Sequence, residues 1–154
     1  MKAARSETRS VEIAEPLASF VVDSSIALAW CFEDEHTKPV MDLLDRLVEA
    51  GAFAPSLWPL EVLNGLLTAE RRRRVDARRR QQFGGFLRAL PIILDTETTD
   101  QAWTVTVRLA ERHRLSAYDA TYLELAQRRK LPLATLDEEL AKAAKVSGMT
   151  VLGT

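Results

Sequence analysis

The chain has 154 residues, 47% of them hydrophobic, enough for one domain with a sizeable core, and its net charge of −1 singles out no polyanionic or membrane partner. No apolar run approaches the roughly 18 residues of a membrane helix, and the single cysteine, Cys31, excludes an internal disulfide framework and a cysteine-based zinc site. Residues 1–18 hold no continuous apolar segment of the secretory kind and read as a flexible extension before the domain at 19–154, so the expectation is a cytoplasmic protein outside the membrane.

Residues 19–23, SFVVD, read as a first strand that ends on a carboxylate, followed by a short helix in SSIALAWCF and a charged loop in EDEHTKP. In VMDLLDRLVEA, Val40, Leu43, Leu44, Leu47 and Val48 recur at helical spacing until Gly51 ends the run. AFAP is a second strand stopped by Pro55, and Leu57, Leu60, Leu63, Leu66 and Leu67 mark a helix expected to be capped by Ser56. Asp76 opens the next helix, weakened inside by Gly84 and Gly85, and PIILD is a third strand. Residues 98–114 and 116–130 form two helices across a brief turn, LPLATLD is a fourth strand, residues 138–148 a short helix and MTVL a last strand. His36 and His113 stand far apart without ligand spacing and read as structural or solvent-facing.

Strands alternating with helices imply an α/β domain whose parallel sheet is covered on both faces. Right-handed crossovers then gather the carboxyl ends of the strands on one edge, which is where such sheets place their ligands. Asp23 and Asp137 each follow a strand and open onto that edge. Asp119 sits in the first turn of its helix, and Glu61 lies among apolar neighbours in LWPLEVLNGLL. Each acid has an ordinary explanation: Asp23, Ser24 or Ser25 as a cap, Ser116 with Asp119 as a capping box, Asp137 as a cap of the last helix. Capping does not account for Glu61, and several carboxylates pushed together raise one another's pKa unless a cation joins them. Oxygen donors without histidine or cysteine suit a hard ion, Mg²⁺ or Mn²⁺. No glycine-rich phosphate loop is present.

With FVVDSSIALAWCFEDE, PSLWPLEVLNGLL, LSAYDATYLELAQRRKLPLATLDEEL and GMTVL in this order, the chain resembles the PIN-domain ribonucleases, and among them the VapC toxins of type II toxin–antitoxin pairs. The resemblance implies a three-layer α/β/α domain with a mostly parallel central sheet and a metal-dependent endoribonuclease activity. It matches Asp23 and Asp119 to the acids that hold the metal most directly, Glu61 to the second acid, in E-x-x-N with Asn64, and Asp137 to a fourth acid acting at longer range. Ser24 and Thr135 match assisting hydroxyl positions. Hydrolysis by an activated water would leave a 5′-phosphate and a 3′-hydroxyl.

Seven arginines between residues 71 and 80 form the one strong local charge, and Arg71, Arg72, Arg73 and Arg74 are the expected RNA-phosphate contacts. The resemblance also implies a homodimer and a VapB-type antitoxin whose tail crosses an apolar groove, for which Trp30, Trp58 and the leucines near Glu61 are candidates. As a residue type, all three tryptophans, Trp103 included, belong more often to a core. The competing reading is a non-catalytic, partner-binding domain of the same fold. A phosphatase with Asp23 as nucleophile is disfavoured, because Ser25 stands where its second acid would be.

Overall fold

The structure, a computed structural model, describes residues 19–154, so the expectation of a flexible extension at 1–18 lies outside the described residues. Its elements run β1 (Phe20–Val22), α1 (Ser24–Cys31), α2 (Lys38–Ala50), β2 (Ala52–Ala54), α3 (Trp58–Arg71), α4 (Ala77–Ala89), β3 (Ile92–Leu94), α5 (Val107–His113), α6 (Ala117–Arg129), β4 (Leu133–Ala134), α7 (Glu138–Val146) and β5 (Val151–Leu152). The five strands form one parallel sheet in the order β3-β2-β1-β4-β5.

β1 is central and every one of its residues is buried, as a strand covered on both faces must be. The chain leaves β1 first toward β2 and β3, then returns to place β4 and β5 on the other side. With right-handed crossovers, that reversal puts α1 to α4 on one face and α5 to α7 on the other. Packing agrees: α3 lies against α1 and α4, while α6 lies against α5, α7 and β1. The reversal falls between β1 and β4, so the carboxyl ends of those two strands border the crevice where this architecture binds ligands.

Local chemistry sets most boundaries. Thr37 caps α2, Asp76 caps α4, Ser116 caps α6 and Asp137 caps α7, each side chain accepting a backbone N–H. Ser56 does not cap α3: its N–H donates to Thr98 Oγ1 at 3.1 Å, and the helix starts beyond Leu57, after a turn in which Trp58 N–H donates to the Pro55 carbonyl. The helix expected through 98–114 is broken up. Residues 102–106 form a wide π-helical turn, closed by Thr106 N–H donating to the Gln101 carbonyl, and only Val107–His113 is α-helical. The extra residue in that turn rotates the following side chains. Trp103, a residue type of the core, is 89% exposed there.

Candidate functional site

The carboxyl end of β1 hands its chain to α1 through Asp23, which is 4% exposed. Although it occupies the N-cap position, its side chain makes no capping bond. Ser25 Oγ donates to Asp23 Oδ2 at 2.7 Å, Thr135 Oγ1 donates to the same oxygen at 2.8 Å, and Ser24 Oγ reaches Oδ1 at 3.4 Å. Thr135, just past β4, also accepts the Asp137 N–H at 3.0 Å, and Ser25 Oγ accepts the Leu136 N–H at 3.0 Å. The ends of β1 and β4 are therefore laced together through two hydroxyls, with Asp23 at one end of the lacing and Asp137 at the other.

Asp137 caps α7 through Oδ1, which accepts the Leu140 N–H at 2.8 Å. Asp119 lies half-buried in the first turn of α6, where its own N–H donates to Ser116 Oγ at 3.1 Å. Glu61, half-buried in the first turn of α3, is held by the phenol of Tyr122, which donates to Glu61 Oε1 across the two helices. Tyr122 is fully buried one turn beyond Asp119.

Burial pushes the pKa of Asp23, Glu61 and Asp119 above the usual carboxylate range. The remaining upward push on each comes from other acids: Asp137 on Asp23; Asp23 and Asp119 on Glu61; Asp137 and Asp23 on Asp119. The groups that pull the values back are neutral donors, among them Ser25, Thr135, Tyr122 and Ser116. Four acids from four separate segments thus share one electrostatic neighbourhood. Among the described residues no three His, Cys, Asp or Glu side chains yet stand as close as a finished ligand set requires. The donor set, all oxygen, is the kind that fits a hard divalent cation.

Of the expected supporting residues, Thr135 and Ser24 bond Asp23 as described, and Asn64 is exposed one turn beyond Glu61 on α3. Ser25 and Tyr122 are parts of the site that the sequence does not assign to it. In sequence Ser25 reads as a cap; the signal for Tyr122 is its position three residues after Asp119, which puts both on one side of α6.

Arg71, Arg72 and Arg73 are exposed, as RNA contacts must be. Arg74 is engaged: its guanidinium pairs with Asp34 at 2.7 Å and Glu35 at 2.8 Å and lies over the Phe32 ring, 3.8 Å from its centre. The two tryptophans expected in an exposed groove are a correction. Trp30 and Trp58 are buried, and Trp30 Nε1 donates to the Val40 carbonyl at 2.8 Å, so both belong to the core. An exposed apolar groove of about 520 Å³ is lined instead by leucines near Glu61, Leu57 and Leu60, with Trp103, Val107 and Tyr118 among others. Leu60 and Tyr118 are the sequence neighbours of Glu61 and Asp119, but none of the four acids lines this groove.

A family model for the PIN domain matches residues 20–146. No curated protein sequence matches the chain. Among solved structures, PAE2754 of Pyrobaculum aerophilum aligns with a TM-score of 0.63 at 22% identity, covering 87% of this chain and 89% of that one. VapBC of Salmonella typhimurium bound to DNA aligns with a TM-score of 0.61 at 16% identity, over 88% of this chain and 97% of that one. VapC20 of Mycobacterium tuberculosis, described as a toxin that cleaves the sarcin–ricin loop, aligns with a TM-score of 0.58 at 19% identity, over 81% of this chain and 95% of that one. At these identities the likeness is one of fold.

Proposed function

This chain belongs to the PIN-domain family, and on that premise we propose that it is a divalent-metal-dependent endoribonuclease serving as the toxin of a toxin–antitoxin pair. The observation that carries the reading is the electrostatic neighbourhood of Asp23, Glu61, Asp119 and Asp137, in which burial and neighbouring acids act on Asp23, Glu61 and Asp119 and, among the described residues, the named opposing groups are neutral donors. Structural acids are ordinarily paired with a cation of the fold; these leave that role to an ion.

Asp23 and Asp119 would hold Mg²⁺ or Mn²⁺, with Glu61 and Asp137 beside them, and a bound ion of this kind acidifies water and steadies phosphate oxygens. The chain's own residues prepare the place. Thr135 and Ser25 fix the Asp23 carboxylate in one orientation, and Tyr122 does the same for Glu61, so the acids lose little freedom when they close on a cation. Hydrolysis by water leaves a 5′-phosphate and a 3′-hydroxyl and does not need the RNA 2′-hydroxyl.

Fold neighbours that are themselves VapBC complexes support an antitoxin partner, and self-association to a homodimer goes with the same reading. Protein contacts need exposed apolar surface, which the Trp103 groove supplies between α3, the turn at 102–106 and α6. That groove also favours the second reading, a partner-binding domain without catalysis.

Purified protein incubated with total RNA and each metal, beside the Asp23→Asn variant, decides between them. Metal-dependent fragments with 5′-phosphate ends that vanish in the variant are expected. Fragments ending in 2′,3′-cyclic phosphate would rule out hydrolysis by water, and binding without cleavage under every metal would favour the second reading.

A further inference from the structure

A cleft of about 450 Å³ opens beside the acids, bounded by Ser25 and Asp137 and extending to Arg72 and Arg74. One wall is a stripe of α3. Gly65, Thr68 and the C-cap Arg72 line it, and with Glu61 one turn before Gly65 they recur at steps of four, three and four residues, the spacing of a single helix face; at 1.5 Å rise per residue the run spans about 16 Å. At its middle a Cβ on Gly65 would stand 2.5 Å from Leu28 Cδ1, so α1 and α3 close tightly at a position without a side chain.

The far end of the stripe is fixed by the way α3 stops. Arg73 adopts φ 58°, its N–H donates to the Glu70 carbonyl, and the Arg74 N–H donates to the Ala69 carbonyl, the paired bonds of a Schellman ending. That turn leaves Arg72 on the stripe and sends Arg74 back over Phe32, into its ion pairs with Asp34 and Glu35. Two more of the arginines are tied down as well: Arg79 lies over the Phe83 ring and Arg80 pairs with Glu70.

A polyanion approaching four acids is repelled unless cations along its path offset them. Among the described residues the cleft contains two cations, and one is already neutralised within the fold. The geometry points to Arg72 as the phosphate-binding residue of this cleft: a single-stranded RNA leaves the acids past Ser25 and Asp137, follows α3 over Gly65 and Thr68, and has a backbone phosphate gripped by Arg72. The assignment rests on the nuclease reading and adds the path of the strand and the residue that holds it. Arg72 acts on binding in the ground state and in the transition state alike, so it governs KM and not kcat.

The test compares Arg72→Ala, Arg72→Lys and Arg88→Ala in the full chain, using a short labelled single-stranded RNA of mixed sequence for binding and total RNA for cleavage. Arg88 is exposed and lies outside the cleft. Expected for Arg72→Ala are an affinity roughly three- to tenfold weaker, a salt slope shallower by about 0.7, and kcat within about twofold of wild type. Arg72→Lys recovers part of the affinity, because the charge returns without the planar fork, and Arg88→Ala matches wild type. Unchanged KM and salt slope in Arg72→Ala overturn the assignment, and so does an equal loss in Arg88→Ala, which would mean a diffuse field. Wild type that cleaves RNA while Arg72→Ala is indifferent sinks this assignment alone. Wild type that neither binds nor cleaves RNA with any metal sinks the nuclease reading with it.

Discussion

Asp23 follows β1 and Asp95 follows β3, both are buried, at 4% and 1% exposure, and both accept a hydrogen bond from a threonine hydroxyl. In sequence they look alike, FVVD and IILD. Their surroundings differ in the sign of the nearest charge. Asp95 would be pushed up by its burial, but Arg128 donates to both its oxygens, at 2.6 and 3.1 Å, and with Thr98 holds the carboxyl below the usual range. The same guanidinium binds Glu124 at 2.7 Å and Glu97 at 3.0 Å, so one cation serves three acids. Asp23 is pushed up chiefly by its burial, and the one charge that acts on it among the described residues, Asp137, pushes the same way. A strand-ending aspartate is therefore structural where the fold brings it a cation and is held in reserve for a ligand where the fold brings it more acids.

If that contrast is right, the two regions answer differently to losing a charge. Arg128→Met leaves Glu124 buried without its counter-ion and Asp95 with only the longer contact to Arg129, at 3.7 Å, and breaking such a cluster costs about 3–5 kcal/mol. A chemical denaturation midpoint measures the cost, and activity per folded molecule should survive, since the cluster lies at the opposite end of α6 from Asp119. A variant as stable as wild type would mean that the ion cluster contributes nothing net. Asp119→Asn should do the reverse. RNA cleavage falls by at least about 100-fold, the upper end of what outer-shell partners of a metal cost, while the fold is kept or made firmer by relief of repulsion. Loss of folding in Asp119→Asn would place it among the structural acids.

A smaller effect sharpens the same contrast. Divalent metal at about ten times its dissociation constant should stabilise wild type by about 1.4 kcal/mol. For a chain of this size that is a rise in Tm of about 3–6 °C. Asp119→Asn should lose most of the rise, and Arg128→Met should keep it. An equal rise in all three would indicate ions bound elsewhere.

Much of this was legible in the residues because it rests on local rules. The alternation of strands and helices, Asp76 and Asp137 as caps, and the acids at the strand ends each need only a short window of sequence. What stayed hidden depends on partners far along the chain. Ser25 looks like a cap until Leu136 N–H is found on its hydroxyl, 111 residues away. Tyr122 and Glu61 meet only because α3 and α6 converge over the sheet edge, and Arg128 reaches Asp95 across 33 residues. The tryptophans misled for a related reason. Composition ranks them alike, but the wide turn at 102–106 puts Trp103 outside while Trp30 and Trp58 pack inside.

The gentlest probe is pH, because the two kinds of carboxyl have opposite linkage. Asp23, Glu61 and Asp119 keep their protons to higher pH folded than unfolded, so the folded state gains stability as pH falls through their raised values toward the ordinary carboxylate range, and loses it as pH rises. Asp95 runs the other way: its contribution is present above the ordinary carboxylate pKa and disappears as pH falls through its depressed value. Without added divalent cation, the Tm of wild type should therefore rise modestly on mild acidification and fall again at strongly acid pH. Asp119→Asn should flatten the rise by removing one of the raised groups, and Arg128→Met should remove the part of the acid fall that Asp95 contributes. Metal should flatten the rise too, because a bound cation favours the ionised acids that the proton would neutralise. A wild-type profile that only declines on acidification would mean that Asp23, Glu61 and Asp119 are not raised by burial and by their acid neighbours, and the contrast between the two strand ends would fall with it.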